Sequence, residues 1–161
     1  MSRFTTHSFR LVLLLLLVFS GNLHANGSSN SYEKKTDKSL RSTLEDIEFA
    51  LTERNLRIVS RLHIGQGIRQ RGYENFPEYE IILYCNLEFA RKMLEIAPSL
   101  INACPGRITV RSDGELYIIS AVLWPEDNRN PRVNKLMYDM NTLVREIVDH
   151  AVQEWQESYE N

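Results

Sequence analysis

"EYEIILYCNLEFARKMLEIAPSLINACPGRITV", Glu78 to Val110, decides the architecture. Six of its first eight residues are apolar or aromatic, the composition of a strand. Asn86 then offers a side-chain oxygen to a helix N-terminus. Phe89, Ala90, Met93, Leu94 and Ala97 follow at helical spacing, and Pro98 disturbs the end of that run. Pro105-Gly106 is a second break, after which "RITV" opens another strand. The stretch is a strand, a helix and a strand, and it holds both cysteines of the chain, Cys85 and Cys104.

Downstream, "RITVRSDGELYIISAVLW" is two strands joined at Asp113-Gly114, a strong tight-turn signal. Asn130-Pro131 places a cap before a proline at the first helical position. A long helix is expected from Arg132 to Glu157, with Val133, Leu136, Met137, Met140, Leu143, Ile147, Ala151 and Trp155 on one side. Upstream, Ser42 stands three residues before Glu45, a capping-box pattern. Leu44, Ile47, Ala50 and Leu51 form that helix's stripe, and Asn55 is a left-handed stop. "LRIVSRLHI" is a strand, and the glycine-punctuated "IGQGIRQRGYENFP" is a loop or broken helix.

Strands joined as hairpins with segregated helices indicate an α+β fold, an antiparallel sheet covered on one face by helices. Alternation puts Tyr79, Ile81, Leu83 and Cys85 toward the helices. The open face is then expected to carry Arg57, Arg61, His63, Glu78, Glu80, Tyr84, Arg107 and Arg111.

The ends bound the setting. Arg3 and Arg10 flank the start of "LVLLLLLVF", Leu11 to Phe19, followed by polar residues and Ala25, the pattern of a secretory signal peptide over residues 1–25. The apolar run is about half of the ~20 residues that span a bilayer, so no stable membrane span is expected after cleavage. Residues 26–38 are a polar tether, and one domain is expected over residues 31–158. Removing Arg3 and Arg10 from 19 basic residues leaves 17 against 21 acidic, a net charge of −4 with His neutral. An acidic exported domain has no electrostatic footprint for nucleic acid. Export, most simply to a periplasm, also makes a disulfide admissible.

Nineteen positions separate the two cysteines. A bridge between them would contribute about 3 kcal/mol by loop closure. It requires "PSLINA", Pro98 to Ala103, to carry Cys104 back to the end of the strand that holds Cys85. A disulfide, two packed thiols, and a redox or soft-metal pair all remain open. The pair has no C-x-x-C or H-x-x-x-H neighbour, and His63 and Cys85 are expected on opposite faces, so no cofactor or metal is expected. No G-x-S-x-G or defensible Ser/His/Asp spacing is present, and the default reading is non-enzymatic. Arginines recognise carboxylate and phosphate bidentately. Arg57, Arg61, His63, Tyr84, Arg107 and Arg111 are therefore the candidate ligand-binding set, for a small anion or for a homodimer partner.

The chain also resembles the domain of unknown function 302 family over about residues 31 to 155. Members often read A-C-N-P, a helix, an acidic-Pro element, then L-P-C before a Val-rich strand. Cys85-Asn86, Pro98, Pro105 and Ile108 to Val110 follow that order, and the strand ending in His63 is similar to the family's I-D-H segment. Leu87 and Gly106 depart from the pattern, and Cys104 precedes Pro105 where the family cysteine follows. The resemblance implies helices on one side of an antiparallel sheet, in the TATA-binding-protein-like grouping, with a short first strand at Tyr32 to Thr36. It implies no activity.

Overall fold

The computed structural model describes residues 30–126 and 129–154. The expected signal peptide and Trp155 lie outside them. Five strands, β1 (Ser31–Thr36), β2 (Arg57–His63), β3 (Tyr79–Cys85), β4 (Gly106–Asp113) and β5 (Leu116–Val122), form one antiparallel sheet in the order β1-β5-β4-β3-β2. The helices are α1 (Leu40–Glu53), α2 (Ile64–Arg69), α3 (Leu87–Ile96) and α4 (Pro131–Ala151), with a 3-10 turn at Pro98–Ala103. This is the α+β arrangement expected, including the first strand that only the resemblance implied. Among the described residues no helix is long and apolar enough to cross a membrane.

Local chemistry explains most boundaries. Asn86 Oδ1 accepts the Phe89 N–H at 2.9 Å, and Asn130 Oδ1 accepts the Arg132 N–H at 3.0 Å. Asn55 sits at φ 55° beyond α1, and Gly114 at φ 65° in the two-residue β4–β5 turn. Two boundaries differ from expectation. Ser39, not Ser42, caps α1, its Oγ accepting the Ser42 N–H at 3.2 Å. The earlier start winds Leu40 and the fully buried Thr43 onto the core. α4 ends at Ala151, short of Glu157, where Lys38 Nζ donates to the carbonyls of Ala151 and Gln153.

The helices bury Ile47, Ala50 and Leu51 of α1, Met93 of α3, and Val133, Met137, Val144 and Ile147 of α4 against Ile82, Tyr84, Ile108, Val110, Ile119 and Ala121 of the sheet. Burying each Ile, Leu, Val or Met among them is worth about 1.5–3 kcal/mol. The covered face of β3 is thus Glu80, Ile82 and Tyr84, the reverse of expectation. β3 is apolar on both faces, so its own alternation does not choose. β4 chooses: Ile108 and Val110 are buried while Arg107 is exposed, and the register sets Ile82 against Ile108 and Tyr84 against Gly106. Tyr79, Ile81, Leu83 and Cys85 therefore look out from the uncovered face.

β2 adds a second reversal. Its register shifts between Ile58 and Ser60, so one extra residue flips the parity of everything beyond it. Arg61 and His63 consequently lie on the helix-covered side, where Arg61 meets Glu48 of α1 at 2.5 Å and His63 Nδ1 meets Glu80 Oε2 at 2.6 Å.

One contact between helices carries a pH prediction. Phe49 of α1 stacks on His150 of α4 with ring centroids 5.7 Å apart. Burial, and then the charge of Arg54, hold the His150 imidazole below its ordinary value of 6.5, against an opposing pull from Asp46. The unfolded chain therefore takes up that proton first as pH falls. The contribution is complete above about pH 6.5 and is lost on acidification toward the depressed folded value. Between pH 7 and 5.5 the urea midpoint of the wild type is expected to fall further than that of His150→Gln. Parallel slopes would show that His150 does not participate.

Candidate functional site

Where β3 ends and β4 begins, the chain returns on itself through Pro98–Ala103, Cys104 and a cis Cys104–Pro105 peptide. This path carries Cys104 back to the strand end. Cys85 Sγ and Cys104 Sγ lie 3.3 Å apart, both as free thiols and both half-buried. Cys104 leans on the core, and Cys85 stands beside Arg57, its register partner on β2. Burial, helped by the contact with Cys85, pushes the Cys104 thiol up to about 11, so it is protonated at neutral pH.

The same turn walls a cavity of about 600 Å³ at this end of the sheet. Leu83 and Val122 line it from the uncovered face, Leu100 and Cys104 from the turn, and Trp124 from the strand exit. Arg107 is the one cation among its lining residues. It is exposed, and among the described residues its guanidinium forms no ion pair or hydrogen bond. Apolar walls with a single unneutralised guanidinium are the composition of a small-molecule site.

Two residues that the pattern did not single out hold this cavity in shape. Trp124 Nε1 donates to the Ala103 carbonyl at 2.9 Å, tying the turn to the core. The indole also packs against Tyr84 and Phe89, at centroid distances of 6.3 and 6.1 Å. Asn141, 3% exposed in the middle of α4, accepts the Trp124 N–H at 2.8 Å and donates to the Trp124 carbonyl at 2.9 Å. A polar residue interrupting a long apolar stripe was the available signal. Behind Gly106, the Tyr84 hydroxyl is buried without a partner among the described residues, and burial holds its pKa far above the phenol range.

The candidate ligand-binding set divides. Arg57, Arg107 and Arg111 are on the uncovered face as expected. Arg61 and His63 are at the covered edge, and Tyr84 is 1% exposed under the helices. Glu78 and Glu80 do not face Arg57 or Arg107. Both oxygens of Glu78 accept from Arg69 Nη2, at 2.8 and 2.9 Å, and the buried Glu80 takes His63. These pairs line a second cleft of about 440 Å³ between α1 and the far end of β3. Each of these carboxylates already has a side-chain partner, which leaves less for a ligand there than at Arg107. His63 and Cys85 are still on opposite faces, with each assignment exchanged. Among the described residues no three His, Cys, Asp or Glu converge on a metal position.

Comparison with known families matches residues 32–151 to "Domain of unknown function DUF302". The chain belongs to the DUF302 family. A crystal structure of an uncharacterized conserved DUF302 protein from Bacillus stearothermophilus is similar, with a TM-score of 0.69 at 14% identity, over 77% of this chain and 98% of that one. At that identity the likeness speaks for the fold. No curated protein matches. Within the DUF302 pattern, the family position at which this chain has Gly106 gains a physical meaning. A Cβ there would lie 2.5 Å from the Tyr84 ring, so glycine lets Tyr84 fill the core beneath the cavity.

Proposed function

We propose that this domain is a binding module whose ligand is a small molecule with an apolar body and one carboxylate. The observation that supports it most is the cavity of about 600 Å³ in which the Arg107 guanidinium has no partner among the described residues. An apolar body would displace water from Leu83, Leu100, Val122 and Trp124, at about 25 cal/mol per Å² of apolar surface. The carboxylate would take the fork of Arg107, a charge-assisted pair stronger than neutral hydrogen bonds. Arg57, on the same face beyond β3, adds to the positive field. Removal of residues 1–25 would leave the module acting outside the cytoplasm.

Titration calorimetry with octanoate tests the reading. Wild type is expected to bind, and Arg107→Glu to weaken binding at least about tenfold, because the reversal replaces an attractive charge pair with a like-charge contact. Arg111→Glu, farther along β4, should change it little. Equal binding by Arg107→Glu and wild type would reject the site.

A second reading rests on the sulfur contact: Cys85 and Cys104 form a dithiol–disulfide pair. A protonated, desolvated Cys104 is a poor thiolate, which disfavours the reduced-state stabilisation that makes a strong oxidant. The pair is better suited to holding structure than to oxidising other proteins.

A further inference from the structure

We infer that Cys85 and Cys104 are a redox lock on the cavity wall: their disulfide fixes the Pro98–Cys104 turn and tightens ligand binding, and their reduction releases it. This rests on the binding reading above for its ligand arm, and on the geometry of the turn for the lock itself.

The turn is the least anchored part of the cavity. None of its six residues is buried, and its backbone hydrogen bonds close within it and onto Ala97. Its ties to the sheet are partial packing of Leu100, Ala103 and Cys104, the Trp124–Ala103 hydrogen bond, and the contact of the two sulfurs. Of these only the sulfur contact can become covalent. The two Sγ atoms need to approach by little more than 1 Å to reach the ~2.05 Å of a disulfide. The bond would join the end of β3 to Cys104, two residues before β4, with Leu100 and Cys104 held against the cavity and Ala103 held against Trp124. A wall fixed in its bound position lowers the ordering cost of binding.

The chemistry needs a disulfide as co-reactant, whether a small-molecule disulfide such as oxidised glutathione or a protein disulfide. The first attack falls to Cys85, on the uncovered face beside Arg57, because Cys104 is the thiol that burial pushes up. Its thiolate attacks one sulfur of the incoming disulfide and expels one thiolate. Cys104 then loses its proton and attacks Cys85 Sγ, expelling the second. Both leaving thiolates are protonated, so one disulfide is reduced to two thiols while the pair is oxidised. The raised Cys104 pKa makes this second step slow near neutrality and faster as pH rises.

Linkage makes the effect reciprocal. If the oxidised form binds the ligand about tenfold tighter, saturating ligand shifts the exchange equilibrium toward disulfide by the same factor. Tenfold corresponds to about 30 mV for a two-electron couple.

The full chain is prepared oxidised with oxidised glutathione and reduced with dithiothreitol, with the Cys85→Ser/Cys104→Ser variant as an unlockable control. Two readouts are taken. Amide hydrogen exchange of Ser99–Cys104, without ligand, is expected to slow about tenfold on oxidation in the wild type and not in the variant. Octanoate affinity is expected to rise about tenfold on oxidation, again only in the wild type. Exchange rates that do not change on oxidation overturn the lock. So does measurable octanoate binding of equal affinity in the two redox forms. Slowed exchange with no octanoate binding by either form supports the lock and refutes the binding reading, so the two failures are told apart.

Discussion

Gly106→Ala is expected to destabilise the domain by about 3 kcal/mol, at the upper end for overpacking a well-packed site. The added Cβ would sit 2.5 to 2.7 Å from three atoms of the Tyr84 ring and hydroxyl. Tyr84 cannot yield: it is 1% exposed, set between the sheet, the helices and the edge of Trp124. The clash is with one side chain, so relief is specific. Combining Gly106→Ala with Tyr84→Leu should cost well under the sum of the two single changes. Tyr84→Phe alone should be neutral or stabilising by about 1 kcal/mol, since it removes a buried hydroxyl with no partner. Urea denaturation of the four variants checks all of this. A Gly106→Ala protein as stable as wild type would mean that Tyr84 does not occupy the space beneath Gly106.

Asn141→Leu is the second large effect, expected to cost about 3 kcal/mol. Leucine shares asparagine's branching and number of side-chain heavy atoms and suits an apolar helix face, so hydropathy alone would favour it. It would, however, strip partners from both the N–H and the carbonyl of Trp124, and from Glu126, whose Oε1 accepts from Asn141 Nδ2 at 2.7 Å. Each buried backbone group left unpaired costs about 1–3 kcal/mol. The loss is expected to reach the cavity as well, because Trp124 ties the wall turn through Ala103. Trp124 emission should shift to the red in Asn141→Leu at urea concentrations where the wild type is fully folded. A stable variant with unshifted emission would show that the backbone of Trp124 finds other partners.

The element order was legible in the sequence because it depends on local chemistry. Asn86, Asn130-Pro131, Asn55 and Asp113-Gly114 each satisfy or turn the backbone where they stand, whatever packs around them. Facing was not legible in β3 or β2. β3 is apolar on both sides, and only its pairing with β4 tells Ile82 and Tyr84 from Ile81 and Leu83. In β2 the bulge beyond Ile58 reverses Arg61 and His63, and a bulge in a run of Arg, Val and Ser leaves no periodic trace. Glu80 argued for an open face because a buried carboxylate is costly. His63, seventeen residues earlier and brought alongside by that same bulge, offsets the cost.

Of the candidate site, the three outward arginines and the two cysteines were legible as residues, but their meeting place was not. The thiol contact depends on the 3-10 path of Pro98–Ala103, which no spacing rule encodes. The cavity depends on Trp124 and Asn141, which sit far apart in sequence from the cysteines.

A crystal structure of the domain grown with octanoate tests the central claim most directly. The expected result is ligand density in the cavity at the end of β3, β4 and β5, with the carboxylate on the guanidinium of Arg107 and the chain against Leu100 and Trp124. An empty cavity at saturating octanoate, or ligand bound only at the His63–Glu80 cleft, would contradict it.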